Sequence, residues 1–344
     1  MSTALIYHKD YLNHKYPYNH PERSERLSYT MDFLKKTGIL EKVDLLTPDS
    51  ATEEDLLRVH TPEHVGYIKD LCEKGGGSVD LDTYASPDTY NLAKLAAGGV
   101  MLAGDYAVGK EGNSFALVRP PGHHAYKNKA GGFCYFNNVA VMIKYVMEKY
   151  PLNRVFLLDW DAHAFNGTAD IFYSTPGVLN VSIHQDPRSF YPGTGFMRQI
   201  GEGAGRGYTV NIPVPSGTKD ADYMHILNEF VIPLAYGYKP DLIVISTGQD
   251  SHRDDLISGL QLTEEGYGAM TSVLKKAAEE LCGKRLVVEL EGGYNLEALA
   301  RSNYEILSAL LGISGFKMDF GGIRDSTYKI TEELRDTFSS YHRI

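Results

Sequence analysis

Val155-Phe-Leu-Leu-Asp-Trp-Asp-Ala-His163 is an apolar run that ends abruptly in carboxylates and an imidazole. From Arg154 to Leu158 its hydrophobicity is nearly continuous, as a strand buried on both faces requires. Runs of the same kind recur at Ala4–Tyr7, Phe115–Val118, Val178–Ile183, Tyr208–Ile212, Leu242–Ser246 and Leu286–Leu290. Helical patterns fill the intervals at Ser86–Val108, Phe136–Lys149, Tyr223–Tyr236, Thr263–Cys282 and Leu296–Leu311. Strand and helix alternating in this way predict an α/β fold, a parallel sheet between two helical layers. Ser86-Pro87 reads as an N-cap with proline at the first helical position, and Thr263-Glu-Glu as a cap with an acidic first turn. The stretch 7–108 reads as mostly helix and loop, wrapping one side and lending a rim to a pocket.

Four short polar stretches each follow a predicted strand: Arg119-Pro-Pro-Gly-His-His124, Asp159-Trp-Asp-Ala-His163, Gly248-Gln-Asp250 and Glu291-Gly-Gly-Tyr-Asn295. In an open α/β sheet the ligand crevice lies outside the carboxyl ends of the strands, so one pocket can collect all four. The 344 residues, 43% of them hydrophobic, suffice for one large core. Neither a linker nor a repeat marks a seam, and a single domain over 1–344 is expected. A net charge of −10 argues against nucleic-acid binding and mildly favours cationic substrates. The three cysteines, Cys72, Cys134 and Cys282, form no CxxC pair, which fits a reducing cytoplasm better than a disulfide framework. No run is long and apolar enough for a membrane span.

The chemistry follows from residue types and spacing. Asp161 and His163, two apart at a strand end, project to one side if the strand continues that far, which is chelate spacing. Asp250 closes an Asp-His-Asp set that leaves a fourth position open, as catalytic zinc requires. His123-His124 supply the acid/base groups that metal-assisted hydrolysis needs, and Asp159 and Asn166 stand ready to orient them. One His then faces a carboxylate and the other an amide, so their pKa values should differ. Two glycines before Tyr294 let the backbone aim its phenol into the pocket as an oxyanion donor. Phe133 and Tyr191 can wall a narrow apolar tube for an alkyl chain, each buried methylene contributing about 0.8 kcal/mol.

Taken in order, His20-Pro-Glu-Arg23, Arg119-Pro-Pro-Gly-His-His124, Gly131-Gly-Phe-Cys-Tyr-Phe-Asn-Asn138, Asp159-Trp-Asp-Ala-His163, Tyr191-Pro-Gly-Thr-Gly195, Asp250-Ser-His252 and Glu291-Gly-Gly-Tyr294 resemble the histone deacetylase family. The flavour is that of its class II, bacterial and archaeal branches, including acetylpolyamine amidohydrolases and acetoin-utilisation proteins. The resemblance implies a three-layer α-β-α arginase/deacetylase fold with a mainly parallel eight-stranded sheet. It implies zinc on Asp161, His163 and Asp250, proton transfer by His123 and His124 paired with Asp159 and Asn166, and carbonyl polarisation by Tyr294. By the same resemblance the Gly132 carbonyl accepts the substrate amide N–H, and Phe133 and Tyr191 form the acyl-lysine tunnel. Structural K+ or Na+ is also implied. One site would use Asp159, Ser182 and carbonyls of Asp161, His163 and Ile183; another would use carbonyls of Phe172, Thr175, Val178 and Tyr208.

Two departures from the family pattern stand out: Ala164-Phe165 replaces the usual His-Gly, and Gln249 replaces a frequent Phe. Phe165 bears on packing under the histidine pair, and Gln249 places an amide near the zinc floor. The expected reaction is hydrolysis of acetyl or other short acyl groups from protein lysines, with acetate and free amine as products. Acetylated polyamines are the alternative substrate. Ile257 occupies the position where a polyamine-selective relative has a gatekeeping Glu, which favours acyl-lysine, although Asp254 and Asp255 lie close by. A homo-oligomer is compatible with the sequence. Two rivals stand further off. Asp161-Ala-His163 also resembles the start of the manganese motif of arginase-type ureohydrolases, but Phe165 and His252 occupy positions where a binuclear site needs carboxylates. A non-catalytic module that holds acylated ligands is the other, and every expected catalytic group is present against it.

Overall fold

A computed structural model of the chain describes residues 3–110, 112–313, 315 and 321–344. Its strands are β1 (Thr3–Ile6), β2 (Asp44–Leu46), β3 (Gly77–Ser78), β4 (Tyr84–Ala85), β5 (Asn113–Ala116), β6 (Val155–Asp159), β7 (Val178–Gln185), β8 (Thr209–Val214), β9 (Leu242–Thr247) and β10 (Leu286–Leu290). The helices are α1 (Glu25–Lys36), α2 (Glu53–Leu57), α3 (Pro62–Glu73), α4 (Thr89–Lys110), α5 (Asn138–Lys149), α6 (Asn166–Phe172), α7 (Asp220–Ile226), α8 (Ile232–Tyr238), α9 (Glu264–Leu281), α10 (Leu296–Leu311) and α11 (Asp325–Phe338).

Eight strands form one sheet in the order β2-β1-β5-β10-β9-β6-β7-β8, and every neighbouring pair is parallel. The strands β1, β6, β9 and β10 are buried along their whole length, which is why they read as largely apolar runs; β5 is equally buried but opens on Asn113 and Ser114, so it starts two residues before the apolar run expected at Phe115–Val118. Consecutive residues of β5 show that helices cover both faces. The Asn113 side chain bonds the Leu310 carbonyl of α10, whereas Ser114 Oγ bonds the Ala103 carbonyl of α4. Around these anchors α1, α9 and α10 pack together on one face, and α4 with α5 on the other.

The sequence expectations miss in identifiable places. The strand β2 is exposed at the sheet edge, so it lacks the buried apolar signature. With the hairpin β3–β4 it interrupts a region expected to be helix and loop. Ser86-Pro87 does not cap α4. Ser86 instead makes a turn whose backbone N–H donates to Thr89 Oγ1, and the helix begins at Thr89. Thr263 does cap α9, its hydroxyl accepting from Gly266 N with Glu264 and Glu265 in the first turn. The helix expected at 223–236 extends to both sides and is broken by a wide turn over Leu227–Val231. Pro233 has no N–H to give the Glu229 carbonyl, which accepts from Arg335 of α11 at 2.7 Å instead.

Among the described residues no helix is long and apolar enough to cross a membrane. The longest, α4, has glycines at points of close approach. A Cβ on Gly98 would lie 2.0 Å from the Asp49 carbonyl oxygen, so the loop after β2 can rest on the helix only because that position is bare. Gly109, in contrast, has nothing closer than the Tyr150 hydroxyl at 3.8 Å. Gly98→Ala is therefore expected to lower the urea midpoint although alanine is the better helix former. Gly109→Ala should raise stability by a few tenths to about 1 kcal/mol. Chemical denaturation of the two variants measures both signs.

Candidate active site

The strands β5, β10, β9 and β6 are consecutive neighbours in the sheet, and the four polar loops leave their carboxyl ends side by side. Strand β6 ends at Asp159, so Asp161 and His163 belong to a turn and not to an extended strand as expected. The backbone donors explain the change. Trp160 N still bonds Ser246 O of β9, but Ala162 N donates to Asp250 Oδ1, His163 N to Asp161 Oδ1 and Gly292 N to Asp161 Oδ2. Carboxylates have taken over from the neighbouring strand as acceptors.

Asp161, His163 and Asp250 each present one ligand atom, all within 4.8 Å of one another. His163 Nδ1 lies 2.9 Å from Asp161 Oδ1 and 3.0 Å from Asp250 Oδ2. A single N–H cannot serve both carboxylates, and Asp250 Oδ2 is buried without a hydrogen bond. Burial alone would lower the His163 pKa, but the adjoining carboxylates of Asp161 and Asp250 push it up to about 9. Burial and the Asp161 charge lift the Asp250 carboxyl to about 6. Burial pushes Asp161 the same way, but the charges of His123 and His163 outweigh it and hold its carboxyl well below the usual range. Two carboxylates and an imidazole around an orphaned acceptor fit a divalent metal. The glycines beside them leave the room: a Cβ on Gly248 would stand 1.9 Å from Asp161 Oδ2, and one on Gly292 would stand 2.5 Å from it and 2.6 Å from Asp250 Oδ2.

The tandem histidines lie over this cluster, His123 Nε2 being 3.9 Å from Asp161 Oδ1. His123 Nδ1 meets Asp159 Oδ2 at 3.0 Å and His124 Nδ1 meets Asn166 Oδ1 at 2.5 Å. Asn166 Nδ2 faces the Tyr126 hydroxyl, so its oxygen is left to accept from His124 Nδ1–H, and Nε2 is the free lone pair. Burial would lower both pKa values. Around His123 the carboxylates of Asp161, Glu291 and Asp159 reverse the effect and hold it well above the ordinary value. Around His124 burial is reinforced by the positive charges of His123 and His163, and it stays well below. Their surroundings thus bias the two rings in opposite directions, His123 towards the imidazolium and His124 towards the neutral imidazole.

The remaining expected residues converge on the same place. Tyr294 packs edge-on to Phe133 with ring centroids 5.9 Å apart. Burial keeps the Tyr294 phenol protonated, its pKa well above the ordinary value. Phe133 has φ 69°, a conformation that costs a bulky residue about 1–3 kcal/mol. Its N–H is held by Thr83 Oγ1 at 2.9 Å, and its ring by His20 at 4.6 Å. A Cβ on Gly132, at φ 57°, would lie 2.5 Å from His124 Cδ2, so the Gly132 backbone passes directly against that ring. Tyr191 stands across from it, 4.9 Å from His124 between centroids. Ile257 lies at the outer edge, lining with Tyr294, Arg23 and Leu256 a groove of about 500 Å³. The implied cation residues are apart from this opening. Asp159 and Ser182 are paired across β6 and β7, whereas the Val178 and Tyr208 carbonyls both face Asn180 Nδ2.

Several residues left without a role by the sequence reading hold this arrangement. Glu22, fully buried, bonds Arg26 Nη1 at 3.1 Å and Arg119 Nε at 2.7 Å. Burial would raise its pKa, but Arg119 above all, then His14 and Arg26, hold it at about 2. Arg26 donates onward to the carbonyls of Gly293 and Glu291, its guanidinium 5.0 Å from the Tyr294 ring centroid. Asp255 is buried and accepts from the backbone N–H groups of Tyr294, Asn295 and Ile257, so it is not free to meet a substrate ammonium. In the sequence Glu22 and Arg119 belong to two separate motifs, and nothing in their spacing joins them. Of the departures, Phe165 is buried and with Ala164, Asn166 and Tyr126 lines a cavity of about 280 Å³ behind the His124–Asn166 pair. Gln249 turns its amide to Thr247 and to Asn303 of α10.

Known proteins of this architecture are similar along almost the whole chain. The histone deacetylase domain family matches residues 20–310. A probable deacetylase from Archaeoglobus fulgidus is 44% identical over 338 residues, 97% of this chain and 92% of that protein. A histone deacetylase-like amidohydrolase from Pseudomonas aeruginosa is 38% identical over 295 residues, 85% of this chain and 76% of its own length. The crystal structure of the HDA15 HD domain matches with a TM-score of 0.92 at 32% identity, covering 99% of this chain and 97% of that one.

In the metal-free site the proton on His163 must leave before a metal binds, and at lower pH a second must leave Asp250. Metal affinity should therefore rise with pH between about 6 and about 9, with protons released on binding. Calorimetry in buffers of different ionisation enthalpy counts those protons. Gly248→Ala should abolish stoichiometric metal binding in a folded protein. Glu22→Gln, which breaks a buried ionic triad, should cost about 3–5 kcal/mol of stability, read as a lower melting temperature.

Proposed function

Because this chain belongs to the histone deacetylase family and is a hydrolase of that kind, we propose that it is a zinc-dependent amidohydrolase acting on acyl-lysine side chains of proteins. The observation that carries this reading is the tandem histidine pair, one member on a carboxylate and one on an amide, set against a three-ligand cluster. Zinc held by Asp161, His163 and Asp250 supplies, when bound, a Lewis acid and an acidified water with a pKa of about 7.

The chain's own groups do the rest. Phe133 and Tyr191 clasp the alkyl stem, and the Gly132 carbonyl accepts the amide N–H. The Tyr294 phenol, kept protonated, donates to the carbonyl oxygen as negative charge develops there. His124 takes a proton from water at Nε2 and returns it to the departing amine, while Asn166 fixes its tautomer. His123, oriented by Asp159 and biased towards its positive form by the surrounding carboxylates, stabilises the negative charge of the transition state. Acetate and a free amine are the products.

Ile257 at the rim and the engagement of Asp255 by three backbone donors support acyl-lysine over acylated polyamine. The exposed Asp254 is the feature that favours a polyamine. Three free, buried cysteines support a reducing cytoplasmic setting. The register of Asp159 with Ser182 supports a structural K+ or Na+ there.

Acetate release from an acetyl-lysine peptide and from an acetylated polyamine, compared at equal concentration with zinc-loaded protein, tests the proposal. The peptide is expected to turn over faster. Tyr294→Phe should lose about 100- to 1,000-fold in kcat with zinc content unchanged. His124→Ala should fall at least as far. Undiminished turnover in either metal-replete variant would remove it from the mechanism.

A further inference from the structure

Glu289 and Glu291 lie two apart on β10 and its continuation, and both are buried. Period-two geometry puts them on the same face, the face that Ser114 of β5 turns towards α4. Glu291 Oε2 accepts from the backbone N–H of Gly122 at 2.7 Å and of His123 at 3.2 Å, so it holds the start of the histidine pair. Glu289 Oε1 accepts from Ser246 Oγ at 2.9 Å. In-register pairing continues from Glu289 through Ser246 to Asp159, the partner of His123.

The other two oxygens, Glu289 Oε2 and Glu291 Oε1, are buried acceptors with no donor. Among the described residues no arginine or lysine bonds either oxygen. Facing Glu289 are Ser246 from β9, Asp159 from β6, Glu291 from its own strand and, beyond Glu291, His123 from the loop after β5. The buried side of α4, which packs on β10, has no carboxylate, lysine or arginine. Two adjacent ionised carboxylates beside Asp159 would be buried like charges with only the His123 ring, already bonded to Asp159 and close to Asp161, to offset them. A single proton between the two orphaned oxygens removes one charge and satisfies both atoms.

We propose that Glu289 is kept as a neutral carboxylic acid whose O–H is donated to Glu291 Oε1, making it a positioning residue for His123. The neutral acid orients the Glu291 carboxylate, which in turn holds the Gly122 and His123 backbone. It also limits the negative charge beneath the His123–Asp159 pair. Burial, and then the Glu291 charge, hold the Glu289 carboxyl well above the usual carboxylate range, in the same direction.

The catalytic consequence rests on the deacetylase reading, but the proton does not, and infrared difference spectroscopy separates the two. Wild-type protein at neutral pH should show the carbonyl stretch of an un-ionised carboxylic acid, and Glu289→Gln should lose it. Glutamine keeps a neutral donor for Glu291, so this variant should hold kcat within about threefold of wild type, whereas Glu289→Leu should lose about tenfold in kcat with little change in KM. Absence of that band, its persistence in Glu289→Gln, or its appearance only when monovalent cations are removed would overturn the proposal. So would Glu289→Gln falling as far as Glu289→Leu. If no substrate is turned over at all, the band alone still decides where the proton is.

Discussion

The carboxylate of Glu22 is the constraint on which the site's architecture depends. It lies fully buried between the guanidinium groups of Arg26 and Arg119. Arg119 opens the loop that carries His123 and His124, and Arg26 grips the carbonyls of Glu291 and Gly293 in the loop that carries Tyr294. Loops at strand ends have backbone groups that no ladder satisfies, and here charged side chains supply the missing donors. Such a triad is weak evidence of net stability, since desolvating three ions offsets most of their attraction. Its contribution is geometric: it sets the phenol and the histidines at a distance from each other that neither loop could hold alone.

A second theme is how the molecule handles concentrated negative charge. Asp159, Asp161, Asp250, Glu289 and Glu291 are all buried at the carboxyl ends of neighbouring strands. Each is managed differently. Asp159 faces the His123 ring, and Glu291 receives backbone N–H groups. Asp161 and Asp250 share an imidazole and leave an orphaned oxygen that a cation would satisfy. The two histidines are biased in opposite directions by these surroundings, although they are adjacent in sequence and alike in burial. Position relative to fixed charges, more than desolvation, separates an acid from a base in this pocket.

Much of this was legible in the sequence. Buried strands announce themselves because both faces must be apolar, and β6, β7, β9 and β10 were found close to their true bounds. The residues Asp161, His163 and Asp250, the tandem histidines and their partners Asp159 and Asn166 were legible as pairs of chemical type at strand ends. The exposed strand β2 was not, because an edge strand lacks the pattern that makes a strand readable. The first helical turn of α4 was misplaced because Ser86 and Thr89 bond each other in a turn that mimics a cap.

What the sequence by itself determined was the type of chemistry and the ends of the strands that bear it, because ligand type, spacing and hydrophobic period are local properties of the chain. Only the tertiary structure decided that Asp161 and Glu291 act on His123 beside Asp159, and that Asp255 is spent on the backbone of Tyr294. It likewise decided that Gln249 turns to α10 and that Glu289 meets, beside Ser246, the carboxylates of Glu291 and Asp159 on its face. These are consequences of strand order. Residues far apart in the chain, such as Glu22 and Arg119 or Asp159 and Glu289, act on one another only after the sheet has placed β5, β10, β9 and β6 side by side. Electrostatic interactions depend on that through-space distance and on burial, neither of which a linear spacing contains.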